Sequence, residues 1–256
     1  MLIRTLFWLS AAIVTAIAMA LVVVITVIWP DLPPISEVQD IRLKEPLRIY
    51  SIDGKLMGEF GDERRITVRI EDTPQDLINA ILAAEDDRFF SHHGVDPLGV
   101  VRALIANLKS RETRQGASTI TMQVARNYFL SREKTYTRKL KEALLAFRLE
   151  RELLKLQILE LYVNKIFLGH RSFGFQAAAA FYYNKPLDEL NLAQLAMLAG
   201  LPKAPSSINP VSNPVRAVER RNYVLRRMHG LKLIDDASFE AATAMPLTAA
   251  RHRQEI

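Results

Sequence analysis

Glu85 is the residue whose setting most suggests chemistry. It lies in the stretch Ala84-Glu85-Asp86-Asp87-Arg88-Phe89-Phe90-Ser91-His92-His93-Gly94. Just before it, Leu77, Ile78, Ile81 and Leu82 form an apolar stripe at helical spacing. Glu85 falls on that stripe, where a core residue is due. A carboxylate there is half desolvated and close to the negative end of a helix dipole, and both effects raise its pKa. A general base needs that, because a carboxylate near its usual pKa is a weak proton acceptor. Spacing alone favours a plainer reading, a helix-end Glu turned to solvent.

A second constellation is Gln115-Gly116-Ala117-Ser118-Thr119-Ile120-Thr121-Met122-Gln123-Val124-Ala125-Arg126-Asn127. With Ser118 as N-cap, Thr119, Gln123 and Arg126 share one helix face while Ile120, Val124 and Tyr128 share another. A polar stripe ending in Arg, after a Gly-containing loop, suits an anion. A solvated helix face fits the spacing as well. No Gly-Lys pair is present, so this is not a phosphate-binding P-loop. Further on, Arg138 and Glu142 stand i, i+4, as do Glu160 and Asn164. A surface ion pair of the first kind contributes only about 0.3–0.5 kcal/mol. Ser131-Arg-Glu-Lys134 has the Ser-x-x-Lys spacing of penicillin-reactive serines, but no Ser-Asp-Asn or Lys-Thr-Gly accompanies it. His92 and His93 are adjacent, which is not metal-ligand spacing.

The elements that must hold these residues are mostly helical. Thr73 reads as an N-cap, with Pro74 at the first helical position and Asp76 completing a capping box for the helix that ends at Glu85. Leu98 to Leu108 is apolar at helical spacing and is followed by Lys109, Arg111 and Arg114. That pattern predicts a packed helix, or a flank that touches a membrane. Lys134 to Leu154 predicts a long amphipathic helix. Asn213 with Pro214 starts another that Gly230 ends, and Asp235 starts a short last one. Strand signals are confined to residues 47–60, two runs across Asp53-Gly54, and to a third run, Ile66 to Ile70.

Length, composition and charge set the frame. The 256 residues suit one medium domain with appendages. There is no Cys, which excludes disulfides and thiolate metal sites. The net charge of +6 suits nucleic acid, an anionic membrane or a phosphate-bearing substrate. Thr5 to Pro30 carries no charge, and Leu6 to Ile28 is long enough to span a bilayer of roughly 30 Å. Trp8 and Trp29 sit near its ends, Arg4 precedes it and acids follow, which places the N-terminus in the cytoplasm. Ala18-Met19-Ala20 resembles a cleavage site, but the apolar run continues to Trp29, which favours an uncleaved anchor over a signal peptide. The anchor disfavours nucleic acid as a partner. The chain thus divides into residues 1–29 as N-terminus and anchor, 30–72 as linker and short strands, 73–230 as the main domain, and 231–256 as a last helix and tail.

Five motifs taken together resemble the peptidoglycan glycosyltransferases, glycosyltransferase family 51. Glu85-Asp86-x-x-Phe89-x-x-His92-x-Gly94 resembles the first, and Gly116-x-Ser118-Thr119-x-Thr121-x-Gln123 the second, with Met122 where the family has a first Gln. Arg138-Lys139-x-x-Glu142 resembles the third, and Lys155-x-x-Ile158-Leu159-Glu160-x-Tyr162-Val163-Asn164 the fourth, with Val163 for Leu. Arg171-Ser-Phe-Gly174-Phe-Gln-Ala resembles the fifth, and Asn184 stands where relatives have Gly before Lys. The likeness runs over roughly Glu45 to Gly230.

The resemblance implies a mainly α, lysozyme-like domain with a small β-hairpin and a transmembrane anchor. It implies an inverting transfer that polymerises lipid II into β-1,4 glycan strands with loss of undecaprenyl pyrophosphate. Glu85 would be the base and Glu142 the second catalytic carboxylate, facing the donor pyrophosphate alone or through Mg2+ or Mn2+. Asp86, Phe89, His92, Ser118, Thr119, Gln123 and Glu160 would bind substrate. Arg126, Lys134, Arg138, Lys139 and Lys155 would supply positive charge; Lys134 stands where many relatives have Arg and lacks its bidentate fork. No organic cofactor is implied. The implied partners are lipid II, the growing glycan, membrane lipids and other cell-wall synthesis proteins, at the outer side of a bacterial cytoplasmic membrane. The hairpin and the helix after Gly230 are more like class A penicillin-binding proteins than short monofunctional enzymes, which leaves open a transpeptidase domain beyond the tail. A lysozyme-like hydrolase and a non-catalytic membrane scaffold remain as alternatives at this point.

Overall fold

The computed structural model describes residues 2–23, 26, 28–33, 47–53, 56–60, 64–110, 118–130 and 136–252. In chain order, α1 (Leu2–Val23) is followed by β1 (Leu47–Tyr50), β2 (Leu56–Phe60) and β3 (Arg64–Arg65). Then come α2 (Gln75–Glu85), α3 (Pro97–Ser110), α4 (Ile120–Phe129), α5 (Tyr136–Glu152) and α6 (Lys155–Lys165). After β4 (Ser172–Phe173) the chain closes with α7 (Phe175–Tyr183), α8 (Leu192–Gly200), α9 (Pro214–Gly230) and α10 (Asp236–Ala244). The mainly helical class expected from the sequence is what the structure shows.

Two helix groups make the body. In the first, α8 packs against α2 and α9, and α9 also packs on α2. The α8 sequence Leu-Ala-Gln-Leu-Ala-Met-Leu-Ala-Gly is apolar almost all round, which suits a central helix. Leu195, Ala196, Met197, Leu198 and Ala199 are buried there. In the second group, α4 packs against both α5 and α6. Leu145, Leu149, Ile158, Leu159, Tyr162 and Ile120 fill that contact and join one continuous core with the first group.

Several local signals hold. Asn213 accepts from the Arg216 amide and Asp235 from the Ser238 amide, as N-caps do. Asn184 takes the left-handed conformation, φ 52°, that ends α7. The hairpin forms between β1 and β2.

Other expectations are corrected. Thr73 is not an N-cap: α2 begins one step later, with Pro74 as the preceding residue, and the Thr73 hydroxyl donates back to the Arg69 carbonyl at 3.0 Å. The run Ile66 to Ile70 is not a strand. The strand lies just upstream at Arg64–Arg65 and pairs in parallel with Ser172–Phe173. Residues 66–70 instead lie along α6, where the Asn164 side-chain amide donates to the Val68 carbonyl at 2.8 Å and accepts from its N–H at 2.9 Å. The Glu160 carboxylate accepts from the Ile70 N–H at 2.8 Å. The anchor expected over Leu6 to Ile28 is not shown: the described part of α1 is Leu2–Val23, and residues 24, 25 and 27 lie outside the described set. Among the described residues no helix is long and apolar enough to cross a membrane. Most of the expected linker, residues 34–46, also lies outside them.

Candidate active site

Glu85 is the last residue of α2 and opens into a cavity of about 420 Å³. Its side chain is only 14% exposed. Burial raises its pKa, so the first of the two effects expected from the sequence operates. The hydrogen bond from Gln123 opposes that rise, as do the charges of Arg220, Lys203 and Arg126. Each carboxylate oxygen meets one donor. Gln123 Nε2 donates to Oε2 at 2.9 Å, and Arg220 Nη2 lies 3.4 Å from Oε1.

Asp86 joins the motifs together. It is buried, and its carboxylate accepts from His92 Nε2 at 3.0 Å and from the Ile120 N–H at 3.0 Å. The second bond satisfies one of the free donors at the start of α4, where a negative charge is also favoured by the helix dipole. Thr119, not Ser118, is the N-cap of α4: its hydroxyl accepts from the Met122 N–H and donates to the Gly94 carbonyl. Gly94 has φ +87°, and a Cβ there would lie 2.7 Å from the Ala146 carbonyl carbon of α5. That position therefore requires glycine. The first motif is thereby set between α4 and α5, and Gln123, one turn into α4, reaches Glu85.

The remaining sequence candidates divide. Ser118, Thr119, Gln123 and Asp86 line the cavity with Glu85. Phe89 and His92 are buried and do not line it. Glu142 is fully buried, with Lys139 Nζ at 2.8 Å and Arg138 Nη1 at 3.4 Å from its two oxygens. This is no surface pair. Lys139 also donates to Ser118 Oγ at 2.6 Å, which ties Glu142 to the rim of the cavity. Lys155 is held by Glu150 at 2.7 Å and sits 4.3 Å from the Phe89 ring centre. Glu160 binds the Ile70 amide, away from the cavity. Arg126 is half-buried and acts on Glu85 through its charge. Lys134 and residues 115–117 lie outside the described set.

The cations that line the cavity are not those the motifs offered. They are Arg102, Lys203, Arg220 and Arg227. Four carboxylates, Glu85, Asp86, Asp87 and Asp96, line it too, so the cavity is balanced in charge rather than a plain anion trap. Arg227 pairs with Asp87 at 2.7 Å and Arg102 approaches the same carboxylate at 3.6 Å. None of the four cations stands in a motif noted above. Each sits in an ordinary helix or loop pattern with no local mark of function.

The donor set at Glu142 does not fit a divalent cation. Two cationic side chains already meet its oxygens, and among the described residues no group of three His, Cys, Asp or Glu side chains converges anywhere. A metal ion asks for several oxygen ligands, not a carboxylate already neutralised.

Comparison with known proteins places the chain in a family. Residues 53–229 match the family described as Transglycosylase. The chain belongs to that family. It is 47% identical over 253 residues to penicillin-binding protein 1A of Pseudomonas aeruginosa, covering 99% of this chain and 31% of that one. It is 53% identical over 211 residues to penicillin-binding protein 1A of Haemophilus influenzae, covering 82% and 25%. With the Escherichia coli protein of the same name it shares 48% over 229 residues, covering 90% and 27%. The chain thus spans under a third of the length of these relatives. A crystal structure of the Haemophilus influenzae protein aligns with a TM-score of 0.49 at 34% identity, over 84% of this chain and 22% of that one.

Proposed function

We propose that this chain polymerises lipid II into β-1,4 glycan strands, with Glu85 as the base. One observation carries the reading: a carboxylate, desolvated yet held by one donor on each oxygen, at the wall of an open cavity. Such a group can take a proton from a sugar hydroxyl without being tied up as a structural ion pair. The leaving pyrophosphate is stable as it departs, so no strong general acid is needed. What the reaction needs is one base on the acceptor side and positive charge on the donor side. Attack in one step inverts the anomeric centre, by the logic of inverting glycosidases.

Ser118 and Lys139 mark the donor side in this reading. Glu142 holds Lys139 against Ser118, so its role is to orient a cation toward the phosphates. Arg138, which meets the other oxygen of Glu142, adds charge at that end, while the roles of Arg126 and Lys134 toward the pyrophosphate rest on the family resemblance. Asp86, Phe89, His92, Lys155 and Glu160 serve by placing α2, α4 and α6. No metal ion has a step in this mechanism.

Membrane attachment completes the proposal. The bulky side chains described on α1, including Phe7, Trp8, Leu9 and Val14, are exposed. On α3, Leu98, Val101, Leu104, Ile105 and Leu108 are exposed as well, with a basic run after them. An apolar helix face followed in the sequence by basic residues suits a lipid surface. It would keep the cavity beside a substrate that stays in the bilayer.

The test is a polymerisation assay on the purified chain in detergent with labelled lipid II and with Glu85→Gln alongside. A ladder of strands from the wild type, absent from the variant, is expected. Soluble fragments released from preformed wall, with no polymer, would instead identify a hydrolase.

A further inference from the structure

Glu85 sits in a ring of charged and polar groups from every element around it. Its chain neighbours Asp86 and Asp87 line the same cavity. Gln123 and Arg126 approach from α4, Tyr162 from α6, and Lys203 from the 3-10 turn Leu201–Lys203. Arg220 approaches from α9. Gln123 is engaged with one carboxylate oxygen by an ordinary hydrogen bond at 2.9 Å. Arg220 is not: its 3.4 Å contact is long for a charge-assisted pair, which normally closes to about 2.7–2.9 Å.

The length of that contact has a structural cause. Arg220 Nε donates to the Gly200 carbonyl, at the end of α8, at 3.3 Å. Its guanidinium lies 4.6 Å from the Tyr223 ring centre, one turn along its own helix. Its stem passes so close to Gly200 that a Cβ there would lie 2.9 Å from Arg220 Cγ. Three contacts therefore hold the guanidinium short of a full fork on Glu85. A fork would stabilise the carboxylate too well for a base and occupy both its oxygens.

We propose that Arg220 is a positioning residue for the base: it fixes the Glu85 side chain against Gln123 while leaving Oε1 as the oxygen that takes the acceptor proton. This rests on the function proposed above. Oε2 is committed to the Gln123 amide. Oε1 accepts one long contact from Arg220, which leaves a second lone-pair site for the acceptor hydroxyl. The acceptor hydroxyl donates to Oε1, its oxygen forms the new glycosidic bond, and the pyrophosphate leaves with the bonding pair. Arg220 also favours the charged form of Glu85, so it offsets part of what burial does. Its neighbour Arg221 has a different task, donating to the Met245 and Thr243 carbonyls, and offers nothing to Glu85.

The test is the pH profile of kcat/KM for lipid II polymerisation, with the full chain in detergent, for the wild type, Arg220→Met and Arg220→Lys. The Met variant is expected to lose about tenfold or more at neutral pH, to regain much of it in alkali, and to show its acid limb at higher pH. One unit of displacement corresponds to a tenfold change in the ionised fraction. The Lys variant is expected to return the limb most of the way without restoring the full rate, because an ammonium lacks the plane that stacks on Tyr223. A Met variant whose acid limb stays at the wild-type position, whatever its rate, overturns the proposal. Should the Met variant not fold, Arg220→Gln carries the same comparison, and an acid limb left at the wild-type position overturns the proposal. Failure of the wild type to make polymer appears before any variant is read and removes the parent function instead.

Discussion

Gln123 reaches from the second turn of α4 to the last residue of α2, and its amide donates to Glu85 Oε2 at 2.9 Å. Two motifs separated by 38 positions thus meet in one hydrogen bond. Because Gln123 is itself buried, the amide has few other places to go. Gln123→Ala removes that donor and lets the carboxylate turn. We expect a fall in kcat/KM of about 10–100-fold, the range for losing a group that orients an acid–base residue. The acid limb of the pH profile should move to higher pH, since this hydrogen bond lowers the Glu85 pKa. A variant with wild-type kinetics would show that the contact is incidental.

Replacing Glu85 itself by Gln keeps size and removes the base. Polymerisation should fall by about 10²–10⁴-fold, the usual contribution of a general base. Stability should move the other way. Burial raises the Glu85 pKa in the folded chain above its unfolded value. The folded state then binds the proton more tightly, so the stability present below the ordinary carboxylate pKa is lost as pH rises from there through the raised folded value. Glu85→Gln should therefore melt higher than wild type at pH 7–8, with the gap closing toward pH 4, as scanning calorimetry would read. A lower melting point at pH 8 would show that ionised Glu85 stabilises the fold.

Lys155 is predicted from its motif to serve the pyrophosphate, but its ammonium is committed to Glu150. That carboxylate also accepts from Thr121 Oγ1 at 2.6 Å and is 5% exposed. Lys155→Met should destabilise the chain by about 3 kcal/mol, the low end for leaving a buried charge without its partner, since Lys155 is itself partly exposed. Chemical denaturation measures this directly. An unchanged midpoint would return Lys155 to the substrate-binding set.

Gly94→Ala is expected to be among the most damaging single changes outside the cavity. It asks an alanine to take φ +87° with its Cβ 2.7 Å from backbone of α5. Strain and overpacking together should cost about 3 kcal/mol or more. The altered register of α4 should also loosen the Gln123 contact, so activity should fall with stability. Normal folding in circular dichroism and denaturation would refute the packing argument.

Much of this was readable in the sequence where the signal is local. The α2 stripe led to Glu85, and Asn213 and Asp235 each mark the helix start their side chains predict. Long-range partners were not readable. Arg220 stands 135 positions from Glu85, in a helix rich in arginine, and nothing local separates it from Arg216 or Arg226. Glu142 and Lys155 carried the right charges for a substrate site, but sequence spacing cannot show that both are already paired within the fold, Glu142 with Lys139 and Arg138 and Lys155 with Glu150. The run Ile66 to Ile70 alternates like a strand because one side of it faces α6. Its backbone partners come from side chains, which no periodicity reports.

That use of Asn164 and Glu160 has a consequence for length. Together they index Val68 and Ile70 against α6, as a ratchet holds a wheel at one tooth. From that stop the chain enters α2 and runs to its final residue, Glu85. An insertion or deletion of one residue within α2 would turn Glu85 by about 100° about the helix axis, away from Gln123 and Arg220. The distance along the chain from index to base is thus fixed by the fold as firmly as the side chains are.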